Sequence, residues 1–342
     1  MKAMILNGIK DLRDIRFPLD LVNIPMPEPQ ENQIRIKVSV CGVCHTELDE
    51  IEGRISPITF PVVPGHQVVG IVDKLGLEVT KFKNGDRVGV AWIYSACGFC
   101  EFCMEGRENL CDRFIATGKD VNGGYAEYMT VDEKYAHRIP DFFSDSEAAP
   151  LLCAGAIGYR SVQLAQIKDG DHVGLTGFGA SAHLVLKMLR YSYPNTKIYV
   201  FARKLEERSF AMELGAFWAG DTANASPEKL DSIIDTTPAW KPVLEALTNL
   251  KKGGRLVINA IRKEEKDKSY LQNLNYQDQL WMEKEIKSVA NLTVKDVENF
   301  LILAAKASIT PEVQLYSLEE ANKALFEMKE HHIRGAKVLK IH

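Results

Sequence analysis

Residues 34–40, Ile-Arg-Ile-Lys-Val-Ser-Val, alternate strictly between apolar and polar side chains, which predicts a strand with one buried face. Residues 68–72 and 87–90 are short apolar runs of strand character, separated by the turn signal Lys83-Asn84-Gly85-Asp86. Prolines at 18, 25, 27, 29, 57, 61 and 64 keep helices out of the intervening segments. The amino-terminal part therefore reads as β-rich.

From about residue 170 the period changes. Residues 171–176 predict a short buried strand, and 182–191 a helix with Leu184, Val185, Met188 and Leu189 on one face. A strand at 197–202, a helix at 205–214, a strand at 232–235, a helix at 242–250 and a strand at 255–259 follow. Strands alternating with helices imply a doubly wound parallel sheet, so the fold class is α/β. The tail returns to mixed character, with helices near 294–305 and 318–329 and a closing strand at 336–341. No internal repeat interrupts this order.

Composition narrows the function classes. The chain of 342 residues is 46% hydrophobic and 26% charged, enough for about two globular domains. A net charge of −4 argues against nucleic acid as a partner, and the basic stretch 263–268 is interleaved with acids. No apolar run reaches the length of a membrane span. Seven cysteines with no secretory signal at the first residues imply a reducing cytoplasm and thiolate ligands.

Four of those cysteines, Cys97, Cys100, Cys103 and Cys111, follow the spacing C-x2-C-x2-C-x7-C. Four thiolates this close suit one tetrahedral structural zinc, in a lobe spanning about 92–115. A disulfide knot suits a small secreted domain instead, and the bacterial iron–sulfur run has a shorter last gap and a Cys-Pro. A closed S4 site performs no chemistry.

A second motif, Gly177-Phe178-Gly179-Ala180-Ser181-Ala182, matches G-x-G-x-x-[G/A] between a predicted strand and a predicted helix. Gly177 allows the tight turn, Gly179 lets the backbone approach a pyrophosphate, and Ala182 permits close helix–strand packing. At the tip of the next strand stand Ala202, Arg203 and Lys204, with no carboxylate to accept a ribose 2′-hydroxyl. Two cations there favour NADP over NAD, although a surface Arg-Lys pair opening a helix is also a common bland feature.

The remaining cysteines lie in Cys41-Gly42-Val43-Cys44-His45-Thr46-Glu47 and in Pro150-Leu151-Leu152-Cys153, with Pro64-Gly65-His66-Gln67 between them. Here the chain resembles the zinc-dependent medium-chain alcohol dehydrogenases over nearly its whole length. The matching pieces are G-V-C-H-T at 42–46, P-G-H at 64–66, G-D-R-V-G-V at 85–90 and the four-cysteine lobe. G-G-Y-A-E-Y at 123–128, P-L-L-C-A-G at 150–155 and the glycine turn complete the set. G-H-Q at 65–67 and G-F-G-A-S-A-H at 177–183 are similar to the bacterial and archaeal branch called propanol-preferring.

The resemblance implies a GroES-like β-rich catalytic domain at 1–154 and 291–342 and a Rossmann domain at 155–290. It implies a catalytic zinc on Cys44, His66 and Cys153, making two zincs per chain, with Cys41 as a buried bystander. Glu47 matches the acid that orients the ligand histidine, although the family more often has Asp; Gln67 replaces a family Glu. Thr46 matches the hydroxyl that starts a proton relay, and Asp49 stands where the family has a histidine. Either Asp49 or water then accepts the proton, with His45 placed for a cofactor phosphate. Trp92 matches a pocket wall that selects slim alcohols, the alternative being an ordinary core tryptophan. Arg334 matches a residue reaching the pyrophosphate. The implied reaction is hydride transfer between small primary alcohols or aldehydes and NADP or NAD, in a cytoplasmic homodimer or homotetramer. A polyol or sugar dehydrogenase of the same superfamily, or a non-catalytic zinc-stabilised nucleotide binder, are the alternatives.

Overall fold

The computed structural model describes residues 1–330 and 335–342. The chain forms two compact units, Met1–Cys153 with Leu292–His342, and Ala154–Asn291.

The first unit is organised on Gln33–Val43, which pairs antiparallel with three strands: Val68–Leu75, Tyr128–Asp132 and Ala336–Lys340. Arg87–Val90 and Ala136–Arg138 extend the sheet on one side, and Val313–Ser317 on the other. This central position departs from the expected single buried face. Arg35, a polar position of the alternation, is 9% exposed because Asp73 and Glu28 pair its guanidinium, which also lies over the Tyr128 ring. The pairing of Lys337 with Val43 and of Lys340 with Val40 ties the carboxyl-terminal strand to the centre of this unit.

The helix Val294–Lys306 starts at Thr293, whose hydroxyl caps Asp296 N–H while the Asp296 carboxylate returns to Thr293 N–H. The single helix expected at 318–329 is instead a 3-10 turn, Leu318–Glu320, followed by the helix Ala321–Lys329. The four-cysteine lobe is an excursion bracketed by the antiparallel pair Ile93–Ser95 and Ile115–Ala116.

The second unit is a six-stranded parallel sheet. Its spatial order is Trp218–Gly220, Lys197–Phe201, His172–Thr176, Leu230–Asp235, Leu250–Ile258, Glu285–Ser288. Numbered by sequence this is 3-2-1-4-5-6, the doubly wound dinucleotide-binding order. The two edge strands escape the hydrophobic pattern for physical reasons. Trp218–Gly220 has only three residues, and Glu285–Ser288 is exposed at all four. The core between sheet and helix contains Tyr199, Phe201, Leu230, Ile233, Val243, Leu247 and Leu256. Each such side chain contributes about 1.5–3 kcal/mol on burial. Val243, Leu244 and Leu247 share one face of the helix Lys241–Asn249, which is why that short helix docks.

Candidate active site

In the lobe, the four sulfurs of Cys97, Cys100, Cys103 and Cys111 lie within 4.8 Å of one another. The Cys97 and Cys103 sulfurs are 3.9 Å apart, far beyond a disulfide and close to the ~3.8 Å edge of a tetrahedron with 2.3 Å metal–sulfur bonds. Backbone N–H groups point at the sulfurs: Cys100 N to Cys97 Sγ at 3.3 Å, Cys97 N and Arg113 N to Cys111 Sγ at 3.4 and 3.3 Å. Donors from the Phe99 and Cys100 backbone hold the Cys97 thiol down to about 6, the thiolate form a metal needs. The donor set fits structural zinc.

The second group of candidate metal ligands is built from three separate elements. The central strand ends at Val43, and Cys44 follows in extended conformation as the N-cap of the helix His45–Ile51. The Glu47 carboxylate reaches back to accept from Cys44 N–H at 2.7 Å, which satisfies a free helix-start donor and pins the cysteine. His66 precedes the strand Val68–Leu75 and is 1% exposed. Cys153 comes from a single π-helical turn, Leu151–Gly155, which follows Pro150 at the end of the helix Asp145–Pro150. Such turns recur at functional sites because they re-aim a side chain without ending the helix.

The ligand atoms of Cys44, His66 and Cys153 lie within 4.8 Å of one another, with His66 Nε2 3.3 Å from Cys153 Sγ. The other ring nitrogen, Nδ1, lies 2.6 Å from Glu47 Oε1, a close ionic contact out of line for an N–H hydrogen bond. A carboxylate at Nδ1 turns Nε2 toward the sulfurs and makes it a better donor. The Cys153–Cys44 hydrogen bond is the main cause holding the Cys44 thiol well below its usual range and Cys153 above it. Burial resists charge on His66, but Glu47 and Cys44 outweigh it and push the imidazole up. Two thiols beside an oriented imidazole are the donor chemistry of a Cys2His metal site with one position open. Thr46 Oγ1 is 3.5 Å from Cys44 Sγ, and the Trp92 ring stands 6.4 Å, edge-on, from His66.

In the second unit the glycine turn follows the first strand of the parallel sheet, at the point where strand order reverses. Gly177 has φ of 74°, and a Cβ there would lie 2.8 Å from Thr237 Cγ2. A Cβ on Gly179 would meet nothing within 4 Å, so the backbone there is open to a ligand. Gly179 is the N-cap of the helix Ala180–Ser192, whose first N–H groups face the turn. Ala182 is fully buried. Ala202 is buried after the second strand, whereas Arg203 and Lys204 are exposed and Lys204 caps the helix Leu205–Glu213.

Residues 30–141 match the family model described as alcohol dehydrogenase GroES-like domain. A probable alcohol dehydrogenase AdhA of Mycobacterium tuberculosis is 40% identical over 95% of this chain and 93% of that protein. The chain belongs to the zinc-type medium-chain alcohol dehydrogenases. An alcohol dehydrogenase of Geobacillus stearothermophilus is 31% identical over 100% of this chain and 99% of its own. The solved cinnamyl alcohol dehydrogenase SbCAD4 of Sorghum bicolor superposes with a TM-score of 0.84 at 27% identity, covering 99% and 97% of the two chains. As a member of this family the protein is an NAD(P)-dependent oxidoreductase of alcohols and aldehydes.

Within this dehydrogenase some expected residues stand apart from the ligand cluster. Asp49, 5% exposed, is ion-paired with Arg54 Nε at 2.5 Å. Cys41 is fully buried, and burial pushes its thiol up, away from the ligand form. Arg334 lies outside the described residues. Glu50, the residue that spacing missed, is 1% exposed on the helix His45–Ile51 and carries no motif signal. No helix among the described residues is long and apolar enough to cross a membrane.

Proposed function

We propose that this dehydrogenase interconverts small primary alcohols and aldehydes with NADP, using a catalytic zinc on Cys44, His66 and Cys153 and a structural zinc on the four-cysteine lobe. The observation that carries the reading is the convergence of two thiols and one histidine, with Glu47 on the histidine's far nitrogen. Zinc at that position supplies Lewis-acid polarisation of the substrate oxygen.

The chain's own residues do the rest. Thr46 Oγ1, beside Cys44, takes the substrate hydroxyl proton and passes it on. The ion pair of Asp49 with Arg54 favours water as the final acceptor, leaving His45 for a cofactor phosphate. Trp92 walls the substrate pocket and narrows it to slim alcohols. The turn from Gly177 through Gly179 to Ala182 receives the pyrophosphate, and Arg203 and Lys204 meet the 2′-phosphate.

We read the two units as a catalytic and a cofactor domain, with the boundaries near 154 and 291. The exposed edge strand Glu285–Ser288 supports sheet pairing between copies, in a cytoplasmic homodimer or homotetramer. Gln67, a neutral residue beside the ligand histidine, weighs against a polyol dehydrogenase. The test is a panel of short and aromatic alcohols and aldehydes run with both cofactors, alongside metal counting. Two zincs per chain, turnover of short alcohols and higher kcat/KM with NADP are expected. A clear NAD preference refutes the Arg203–Lys204 assignment, and a single tightly held zinc refutes the catalytic centre.

A further inference from the structure

Glu50 sits on the helix His45–Ile51, three residues after Glu47, so the two carboxylates share a face of that helix. It is 1% exposed, and neither carboxylate oxygen has a hydrogen-bond partner among the described residues. Of two further buried polar atoms near it, Trp92 Nε1 approaches the Glu50 carboxylate without completing a well-aligned hydrogen bond, and Tyr125 Oη has no hydrogen-bond partner among the described residues. Arg54, the cation nearest along the chain, is engaged by Asp49 and Glu52. A buried acid left unpaired is expensive, and each such group in a folded protein calls for a reason.

The groups acting on Glu50 supply the reason. After burial, which opposes its charge, the strongest are Glu47, His66 and Cys44, with the Trp92 indole favouring the anion. The protein's own atoms therefore place an acid beside another acid and a thiol, with the His66 imidazole opposing them. A divalent ion on the adjacent Cys2His group would add a fixed positive charge beside these acids.

We propose that Glu50 is a counter-charge for the metal held by Cys44, His66 and Cys153, a positioning residue that raises metal retention without ligating the ion. The proposal rests on the metal reading above. Glu50 lies one helical turn after Glu47, the acid in contact with the His66 imidazole, so both acids are carried by the one short helix that follows Cys44. In the metal-free protein its burial beside Glu47 is a cost, and the ion relieves it.

The experiment compares Glu50→Gln and Glu50→Asp with the wild type. Loss of zinc to a chromogenic chelator is followed, together with the visible spectrum of the cobalt-substituted protein and the thermal midpoint of the metal-free protein. Glu50→Gln should lose the less tightly held metal roughly tenfold faster and shift the cobalt bands. Its metal-free form should melt no lower than the wild type, because an unpaired buried acid has been removed. Glu50→Asp should restore part of the retention. Metal release and cobalt bands identical to wild type in Glu50→Gln would overturn the proposal. A metal-free form that melts lower with unchanged retention would make Glu50 a packing residue, which also overturns it. If the wild type holds one metal that Cys97→Ala abolishes, the catalytic-metal reading fails and this proposal with it.

Discussion

His137 offers a test that depends mainly on burial. It lies on the strand Ala136–Arg138, opposite Gly89, fully buried and with no hydrogen-bond partner for either ring nitrogen among the described residues. The nearest carboxylate, Glu298, is 3.9 Å away and is shared with Lys81, whose ammonium approaches it to 3.3 Å. Burial, and then the Lys81 charge, push His137 down to about 3. In the unfolded chain its pKa is about 6.5. Between these values only the unfolded chain binds the proton, so stability falls as pH drops from 6.5 and levels off below 3. At pH 5 the loss is 1.5 units at 1.36 kcal/mol each, about 2 kcal/mol. His137→Leu removes this proton-linked loss. Urea unfolding followed by tryptophan fluorescence, run for both proteins at pH 7.5 and pH 5, isolates it. Any packing change in the variant appears at both pH values and cancels in the difference of differences. The variant should lose about 2 kcal/mol less than the wild type over this interval. Parallel pH dependence in the two proteins would refute the account.

Cys97→Ala should release one zinc and lower the thermal midpoint by roughly 5–10 °C while the second metal stays bound; loss of activity with an unchanged midpoint would mean that the roles of the two metal groups are reversed. Thr46→Val should reduce kcat by about 10²–10⁴-fold and leave the cofactor dissociation constant intact, read by stopped-flow turnover and by quenching of protein fluorescence on NADPH binding. Retained turnover would remove Thr46 from the proton path.

The chain's local patterns are enough for the parallel half. Between residues 171 and 259 short continuous apolar runs mark the strands and 3.6-residue spacing marks the helices, because the central strands are buried on both faces and each helix on one. The glycine turn is local too, since a strand, two glycines and a helix start need only neighbours in sequence. The four lobe cysteines belong with them: they span fifteen residues, from 97 to 111, and their sulfurs group through the backbone of that loop. What sequence pattern alone does not carry are Trp218–Gly220 and Glu285–Ser288, which are strands only because a neighbouring strand offers a ladder.

The grouping of Cys44, His66 and Cys153 belongs to the same class of long-range fact. His66 and Cys153 are 87 residues apart, and no periodicity relates them; only the resemblance to a known family points to the set. Tertiary structure also assigns Asp49 to Arg54 and leaves Glu50 without a partner, although both look like ordinary acids on a short helix. The sequence by itself determined most central strands and helices of the parallel half and the two local motifs, the glycine turn and the four-cysteine lobe, because hydrogen-bond periodicity and turn chemistry are local. Tertiary structure alone decided which distant side chains share a low-dielectric site, because burial and charge pairing depend on neighbours that the chain brings together only when it folds.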